Sequence, residues 1–137
     1  MLKFFTEDIV FKTPQPLKTS KWLKTVSKSE GYEIVNLNYI FCSDDYLLEV
    51  NKQYLDHDYY TDIITFDNSE EKGKLEGDIF VSIERVKDNA ENLKLAFDVE
   101  LRRVLVHGLL HLIGFTDSDQ QLKNQMRAKE DECLLLF

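Results

Sequence analysis

The alternation of apolar and polar residues along the chain predicts several short strands. Residues 32–42 carry apolar side chains at nearly every second position, which is typical of a strand with one buried face. Residues 63–66 and 79–83 are short apolar runs on either side of the turn-rich stretch 68–77, and they predict two adjacent strands joined by an exposed loop. A further strand is predicted at residues 3–11, before the two prolines of the chain.

Helix stop signals, capping residues and apolar spacings of three and four predict five helices. Gly31 and Gly114 each follow one of them, at the position where a residue with positive φ ends a helix. Ser118 followed by Gln121 resembles a capping box at the start of the last helix. The predicted helices are residues 17–30, 44–54, 84–95, 97–112 and 119–135.

The predicted elements are expected to form one domain. The chain has 137 residues, of which 43% are apolar, and its nine Phe and six Tyr can fill a hydrophobic core. No internal repeat, linker or low-complexity stretch divides it. We therefore expect a single α+β domain over residues 1–137, with a mixed sheet of about four strands packed against helices.

Charge and cysteine content limit the classes of function and location. The formal net charge of −8 argues against a protein that coats nucleic acid by general electrostatics. Local basic patches stay open at four lysines between residues 18 and 28 and at Arg102 with Arg103. The two cysteines, far apart and without a secretory leader, predict a cytoplasmic protein with reduced, buried thiols. No apolar run approaches the roughly 20 residues that span a membrane.

Two histidines on the predicted helix 97–112 are the strongest indication of chemistry. His107 and His111 are four residues apart, so both imidazoles project in nearly the same direction. Gly114 lets the chain reverse, and the carboxylate of Asp117 can return to the pair. We expect these three side chains to hold one Zn²⁺ ion with an open position for an activated water, as in a hydrolase. Ni²⁺, Mn²⁺ and Fe²⁺ stay open as alternatives.

The histidine pair has a simpler alternative, in which both rings are capped or core histidines without a metal. The surrounding apolar residues count against it, because paired imidazoles in such a setting need partners. Helical geometry places Glu100 and Arg103 near the face of His107. Glu100 can accept the second ring N–H of His107, or it can belong to a solvated, salt-linked face, and the sequence leaves both open.

The spacing of this motif resembles that of two known families. The metzincin proteases share the spacing, but their second motif residue is a glutamate that acts as general base. Gly108 stands at that place in this chain, which disfavours peptide hydrolysis. The run HGLLHLIGFTD, residues 107–117, is closer to HGxLHLxGYDH, the signature of the YbeY family of metal-dependent endoribonucleases. The segments TDIITF at 61–66 and EGDIFVS at 76–82 resemble the TDVLSF segment and the GDI strand of that family.

The second resemblance implies a cytoplasmic endoribonuclease that is specific for single-stranded RNA and acts in ribosomal RNA maturation and ribosome quality control. Its implied partners are ribosomal RNA and the small ribosomal subunit or its assembly factors. Family members hold zinc with three histidines; His107 and His111 match the first two, and Asp117 stands at the third. A carboxylate can replace imidazole on zinc. Leu55 stands where the family commonly has an arginine thought to face the RNA.

Catalytic residues beyond the metal and its water are not fixed by the sequence. Asp78 and Arg103 are the candidates. Thr61, Asp62 and Asp78 lie in the family-like segments, where they can also be ordinary turn and strand-end residues. Two other functions stay open, a zinc metalloprotease-like hydrolase and a non-catalytic ribosome-assembly factor with a structural metal. The residues that can contact phosphate in place of the missing arginine are Lys52, His57, Arg102 and Arg103.

Overall fold

A computed structural model describes all 137 residues of the chain. Its four strands are β1 (Leu2–Thr6), β2 (Glu33–Cys42), β3 (Ile63–Asp67) and β4 (Lys74–Ser82). They form one sheet in the order β1-β2-β4-β3, in which β2 pairs in parallel with β1 and β4, while β3 is antiparallel to β4. This confirms the predicted α+β fold with a mixed sheet of four strands.

All five predicted helices are present, and each end lies within two residues of its predicted position. Gly31 and Gly114 follow the first and fourth helices with φ of +83° and +122°, which confirms both as helix stops. None of the helices combines the length and the apolar composition needed to cross a membrane. The helices are α1 (Pro16–Ser29), α2 (Asp44–Leu55), α3 (Ile83–Leu93), α4 (Phe97–Ile113) and α5 (Gln120–Leu134).

The main core lies between α4 and one face of the sheet. Leu105 and Leu109 of α4 are fully buried, and Tyr39 Oη of β2 donates a hydrogen bond of 2.8 Å to the Leu105 carbonyl. Complete burial of a leucine side chain stabilises a fold by roughly 1.5–3 kcal/mol. The position of α4 against the sheet, and with it the position of the histidines, is therefore set by the core.

Gly108 lets α4 approach the sheet closely. A Cβ at this position would lie 2.8 Å from Ile63 Cδ1 and 3.1 Å from Ile79 Cγ2. A side chain therefore cannot be added without displacing both isoleucines. The glutamate that metzincin proteases carry at this place would have to displace these isoleucine methyl groups, which agrees with the sequence argument against peptide hydrolysis.

The central strand β2 is buried on both faces at its carboxyl end, rather than on one face as the pattern predicts. Residues 39–42 are all buried in succession. Tyr39 and Phe41 belong to the main core, while Cys42 belongs to a second, smaller cluster with Leu47 of α2 and Ile64 of β3. Helices pack on both sides of the sheet at this point, so the period-two pattern of a one-faced strand is lost.

Three predicted boundaries are wrong. β4 begins at Lys74 rather than at residue 79, because residues 74–77 of the predicted loop pair with β2. β1 ends at Thr6 rather than at residue 11, because the chain leaves the sheet and the Asp8 carboxylate accepts a hydrogen bond of 2.9 Å from the Ser43 N–H. The cap of α5 is Asp119 rather than Ser118: its Oδ1 accepts a hydrogen bond of 2.7 Å from the N–H three residues further on. An aspartate at this position satisfies one of the free N–H groups at the helix start.

Candidate metal centre

The two histidines of α4 converge as their spacing predicts. His107 and His111 lie one helical turn apart, and their Nε2 atoms are 3.0 Å from each other. The ring centroids are 4.6 Å apart, and the ring planes cross at 78°. Both Nε2 atoms therefore adjoin the same point beside the helix.

Asp117 brings a carboxylate to this point. Gly114 ends α4, and the chain turns back before α5 begins. Asp117 Oδ2 lies 3.6 Å from His107 Nε2, and Oδ1 lies 3.7 Å from His111 Nε2. A tetrahedral zinc ion with bonds of about 2.0–2.1 Å needs donor atoms roughly 3.3 Å apart. The three side chains therefore suit a four-coordinate metal with one position left for solvent.

A buried glutamate that the sequence did not predict fixes the orientation of His107. Glu130 of α5 is buried, and its Oε2 accepts a hydrogen bond of 2.6 Å from His107 Nδ1. Because a carboxylate can only accept a hydrogen bond, the ring proton of His107 sits on Nδ1. The lone pair of Nε2 is then free to bind a metal ion. The available sequence signal was the buried face of α5, on which Glu130 lies between Met126 and Cys133 at helical spacing.

Arg103 connects this glutamate to two further carboxylates. Its Nη1 lies 3.2 Å from Glu130 Oε1, and its Nη2 lies 2.9 Å from Asp131 Oδ1. Its Nε lies 3.8 Å from Glu100 Oε1, which is buried without a hydrogen-bond partner. Glu100 is therefore not the partner of His107. The salt link predicted for it is present, but the solvated face is wrong, because Glu100 is buried. The guanidinium balances carboxylates that would otherwise be costly to bury.

These buried groups shift protonation at the site. Burial by itself lowers the pKa of His107, but the hydrogen bond and charge of Glu130 outweigh this effect, so the pKa is raised. Burial lowers the pKa of His111, and the neighbouring His107 lowers it further. Burial also raises the pKa of Glu100. Of the two rings, His107 takes up a second proton more readily. His111 is more readily neutral, which is the form that binds a metal ion.

A polar cleft of about 570 Å³ opens beside His107 and Asp117. Only three of its fifteen lining residues are hydrophobic, and Lys123 and Arg127 of α5 contribute positive charge. Asp62 also lines the cleft; its Oδ2 accepts a hydrogen bond of 3.2 Å from Asn89, and burial raises its pKa. The cleft therefore suits a polar, charged ligand rather than an apolar one.

Of the two candidate catalytic residues from the sequence, only Arg103 lines the cleft. Gly77 and Ile79 of β4 face α4, so the intervening Asp78 points to the opposite face of the sheet. There its carboxylate accepts hydrogen bonds from Asn38, at 3.0 Å, and Asn68, at 3.4 Å. The structure does not bring Asp78 to the histidines.

The residues that the sequence suggests for phosphate binding either lie outside the cleft or are already paired with carboxylates. Lys52 lies 3.5 Å from Asp58 Oδ1, and Leu55 ends α2. Arg102 and Lys18 both lie over the Phe137 ring, at 4.2 Å and 4.3 Å, so the two predicted basic clusters meet at the C-terminus. Of the four phosphate candidates, Lys52, His57 and Arg102 do not line the cleft. Arg103 lines it but is engaged by Glu130 and Asp131.

An α+β fold with two imidazoles and a carboxylate at the mouth of a polar cleft defines a class of small proteins with a candidate catalytic metal centre. Comparison with protein families narrows this class. The family described as Endoribonuclease YbeY matches residues 6–137. The chain belongs to the YbeY endoribonuclease family, which confirms the resemblance seen in its motifs.

Individual relatives match over nearly their whole length. The Endoribonuclease YbeY of Cytophaga hutchinsonii is 59% identical over 133 residues, which cover 97% of this chain and 93% of that protein. The Endoribonuclease YbeY of Phocaeicola vulgatus is 43% identical over 137 residues, which cover 100% and 99%. The solution structure of TM1509 from Thermotoga maritima has a TM-score of 0.70 at 28% identity, covering 99% of this chain and 88% of that one. The fold is therefore shared with a solved structure.

Proposed function

We propose that this protein is a metal-dependent endoribonuclease, specific for single-stranded RNA, that acts in ribosomal RNA maturation and ribosome quality control. The observation that carries the proposal is the approach of two Nε2 atoms and one carboxylate to a common point at a polar cleft. Relatives named Endoribonuclease YbeY, similar over almost the full chain, supply the substrate class. Ribosomal RNA and the small subunit or its assembly factors are the corresponding partners.

His107, His111 and Asp117 would hold one ion, and Zn²⁺ suits two imidazoles and a carboxylate. When bound, such an ion lowers the pKa of a water and polarises a phosphoryl oxygen, two requirements of phosphodiester cleavage. The protein contributes the orientation of the donors. Glu130 keeps the His107 proton on Nδ1, and Arg103 keeps the Glu130 carboxylate in place.

Cations on the cleft wall can hold the phosphate. Arg127 is largely exposed, and its Nη1 lies 3.9 Å from Glu130 Oε1, so it is paired only loosely. Lys123 lines the same wall. Arg103, by contrast, is only 13% exposed and is already engaged by carboxylates. We therefore assign phosphate binding to Lys123 and Arg127, in the role that the family arginine would have at Leu55.

Asp62 can deliver the proton that the leaving oxygen needs. Its Oδ2 is held by Asn89, which leaves Oδ1 for a proton. Burial raises its pKa, so this carboxyl retains a proton more readily than an exposed aspartate does. A buried carboxyl with a raised pKa is suited to general acid catalysis.

Cleavage of a labelled single-stranded RNA, and of the same RNA annealed to its complement, tests the proposal. Zinc-loaded wild type should cleave only the single strand, and His111→Ala should be more than about 100-fold slower, because the ion contributes several kcal/mol. Asp78→Asn is the matched control, a change of carboxylate on the opposite sheet face, and should keep the wild-type rate. Equal RNA loss with wild type and His111→Ala would contradict the nuclease.

Metal content separates the catalytic and structural alternatives. Mass spectrometry of protein purified without chelator should find about one ion per chain in wild type and far less in His111→Ala, since a catalytic site needs its three protein ligands. His57→Ala removes the third histidine of the chain and should leave the metal content unchanged. A wild type that holds one ion but cuts no RNA would instead be a non-catalytic assembly factor with a structural metal.

A further inference from the structure

We propose that the loop between α2 and β3 is a stacking site for unpaired nucleobases of an RNA strand that enters the cleft. The site consists of His57, Tyr59 and Tyr60, here named the aromatic loop. This inference rests on the proposed function, because it states how the substrate of that function is held beside the cleft. The proposal is supported by the exposure of the rings, the anchoring of the loop, the ring geometry, the position next to the cleft and the local charge.

The rings of the aromatic loop are left in solvent. Tyr59 is 56% exposed and Tyr60 is 50% exposed, and His57 is exposed as well. Rings elsewhere in the chain, such as Tyr39 and Phe41, are fully buried in the core. Adjacent exposed rings on a protein surface indicate a binding site rather than a contribution to folding.

Hydrogen bonds fix the loop that carries these rings. Asn51 of α2 is buried, and its Nδ2 donates a hydrogen bond of 2.9 Å to the Tyr59 carbonyl. The Asn51 carbonyl accepts one of 3.1 Å from the His57 N–H. Tyr60 Oη donates one of 3.1 Å to Asp45 Oδ1. The rings are thus positioned before a ligand arrives, which lowers the entropy lost on binding.

The ring geometry is that of a stacking surface. The rings of His57 and Tyr59 are stacked, with centroids 5.1 Å apart and planes at 21°. A hydrogen bond of 3.0 Å between Tyr59 Oη and His57 Nδ1 holds the pair together. The Arg85 guanidinium lies 5.5 Å from the Tyr60 ring and is itself bound by Asp44. Aromatic rings and guanidinium planes are the groups on which proteins stack unpaired bases.

The aromatic loop does not line the cleft itself but is joined to it by a short length of chain. Tyr60 precedes the cleft residue Asp62 by two positions, which is at most about 7 Å of chain. The Asp62 carbonyl accepts a hydrogen bond of 2.9 Å from the Ser82 N–H, so this end of the loop is tied to β4. A strand stacked on Tyr60 can therefore continue into the cleft that contains His107.

The charge around the aromatic loop favours contact with bases over contact with phosphates. Asp45, Asp56 and Asp58 lie in or beside it, and Lys52 is engaged by Asp58 at 3.5 Å and by Glu49 at 3.6 Å. Phosphate binding here would be opposed by these carboxylates. We therefore expect the loop to contribute through base faces, with little effect on the salt dependence of RNA binding.

Binding of a labelled oligoadenylate to the full chain tests the proposal. The His111→Ala background prevents cleavage, and fluorescence anisotropy gives Kd. Tyr59→Ala and Tyr60→Ala should each raise Kd at least about 5-fold, which corresponds to the loss of one base stacked on an aromatic ring. Tyr59→Phe should restore binding because it keeps the ring. The slope of log Kd against log salt should be the same in all variants.

Two controls identify stacking as the cause. Phe5→Ala removes another exposed ring, 46% exposed on β1, and should leave Kd unchanged. An abasic oligomer of the same length keeps the phosphates, and it should bind the wild-type loop and the alanine variants equally. Unchanged Kd in both tyrosine variants, or equal losses with the abasic oligomer, would overturn the proposal. Tyrosine-dependent binding of oligoarginine without binding of RNA would overturn it in favour of a basic protein partner.

Failure of the stacking site and failure of the nuclease function give different results. If wild type cleaves RNA but the tyrosine variants keep the wild-type Kd and KM, the stacking site is refuted and the nuclease is not. If the oligoadenylate binds in a tyrosine-dependent way but wild type never cleaves RNA, the nuclease is refuted and the stacking site stands. Thermal unfolding of Tyr59→Ala and Tyr59→Phe shows whether a loss of binding comes from a loss of fold.

Discussion

The two flanks of the candidate metal centre are built differently. On the α5 flank, His107 is held by buried Glu130, which is itself bound by Arg103. On the other flank, Asp117 reaches the histidines from a turn, with a side chain that is 40% exposed. The packing of α5 against α4 therefore positions His107, whereas the turn after α4 positions Asp117. Changes on the α5 flank should therefore act through orientation and stability, and changes at Asp117 only through the donor itself.

The largest effects should come from removing either imidazole, and only one removal should also destabilise the metal-free fold. His107→Ala and His111→Ala should both weaken Zn²⁺ binding more than about 100-fold, beyond the effect of losing a group that only orients a ligand. His107→Ala also leaves Glu130 Oε2 buried without its partner, at a cost of about 1–3 kcal/mol. Chelator competition measures the Zn²⁺ affinity, and urea unfolding of the metal-free protein measures the unfolding free energy. Equal unfolding free energies in the two variants would remove the distinction between the flanks.

The next largest effect should come from Glu130→Gln. A glutamine amide that turns its N–H₂ toward His107 no longer enforces a proton on Nδ1, so Zn²⁺ affinity should fall about 10–100-fold. The ¹⁵N shifts of His107 report its tautomer and should change in the variant. Glu130→Asp keeps the carboxylate and should restore the tautomer in part.

Asp131→Asn is the matched control for that change. Asp131 is the next residue of α5, and it contacts Arg103 but not His107. Its side chain is mostly exposed, so the change should alter Zn²⁺ affinity and stability little. If Asp131→Asn weakens Zn²⁺ binding as much as Glu130→Gln, the effect comes from the Arg103 network and not from the hydrogen bond to the ring.

A smaller effect should follow from changes at Asp117. Asp117→His supplies the donor that the family commonly has, and it should keep Zn²⁺ affinity within about tenfold, because both donors suit zinc. Asp117→Asn supplies only a neutral amide and should bind more weakly than either. Neither change should shift the unfolding free energy by more than about 0.5 kcal/mol, as expected for an exposed side chain. Titration calorimetry and urea unfolding give the two quantities, and a clear loss of stability would show that this flank is packed after all.

The difference between the flanks also explains what the sequence could predict. The approach of His107, His111 and Asp117 depends on helical spacing and on a glycine turn, which are local features of eleven consecutive residues. Glu130 lies 23 residues from His107, and the contact exists only because α5 packs against α4. The sequence offered Glu100 instead, since it is on the same helix, but the structure buries Glu100 beside Arg103.

The sheet face on which a strand residue lies also depends on tertiary contacts, and the sequence alone does not determine it. The segment that contains Asp78 predicts a strand, but the sequence does not state which face of that strand meets α4. Gly77 and Ile79 take the α4 side, and a shift of one residue would have placed Asp78 there instead. The choice depends on the close approach of Gly108 to Ile79, which is a tertiary contact.

The smallest expected effect concerns Cys133, which lies on α5 beyond Glu130 and reports whether that flank stays packed. Burial raises the pKa of this thiol to about 11, so at pH 8 it holds roughly 100-fold less of the reactive thiolate than an ordinary cysteine. Its carbonyl also accepts a hydrogen bond of 2.8 Å from Trp22 Nε1.

With Cys42→Ala as background, the reaction of Cys133 with a thiol reagent should be slow in folded protein, faster as the pH rises toward 11, and fastest in urea. Adding Glu130→Gln should not change the rate at pH 8, because glutamine has nearly the size of glutamate, and the variant alters the polar contacts to His107 and Arg103 but not the apolar packing around Cys133. Faster labelling would mean that Glu130 acts by holding the helix. A loss of Zn²⁺ affinity in Glu130→Gln would then have to be assigned to the packing of α5 unless the ¹⁵N shifts of His107 also change.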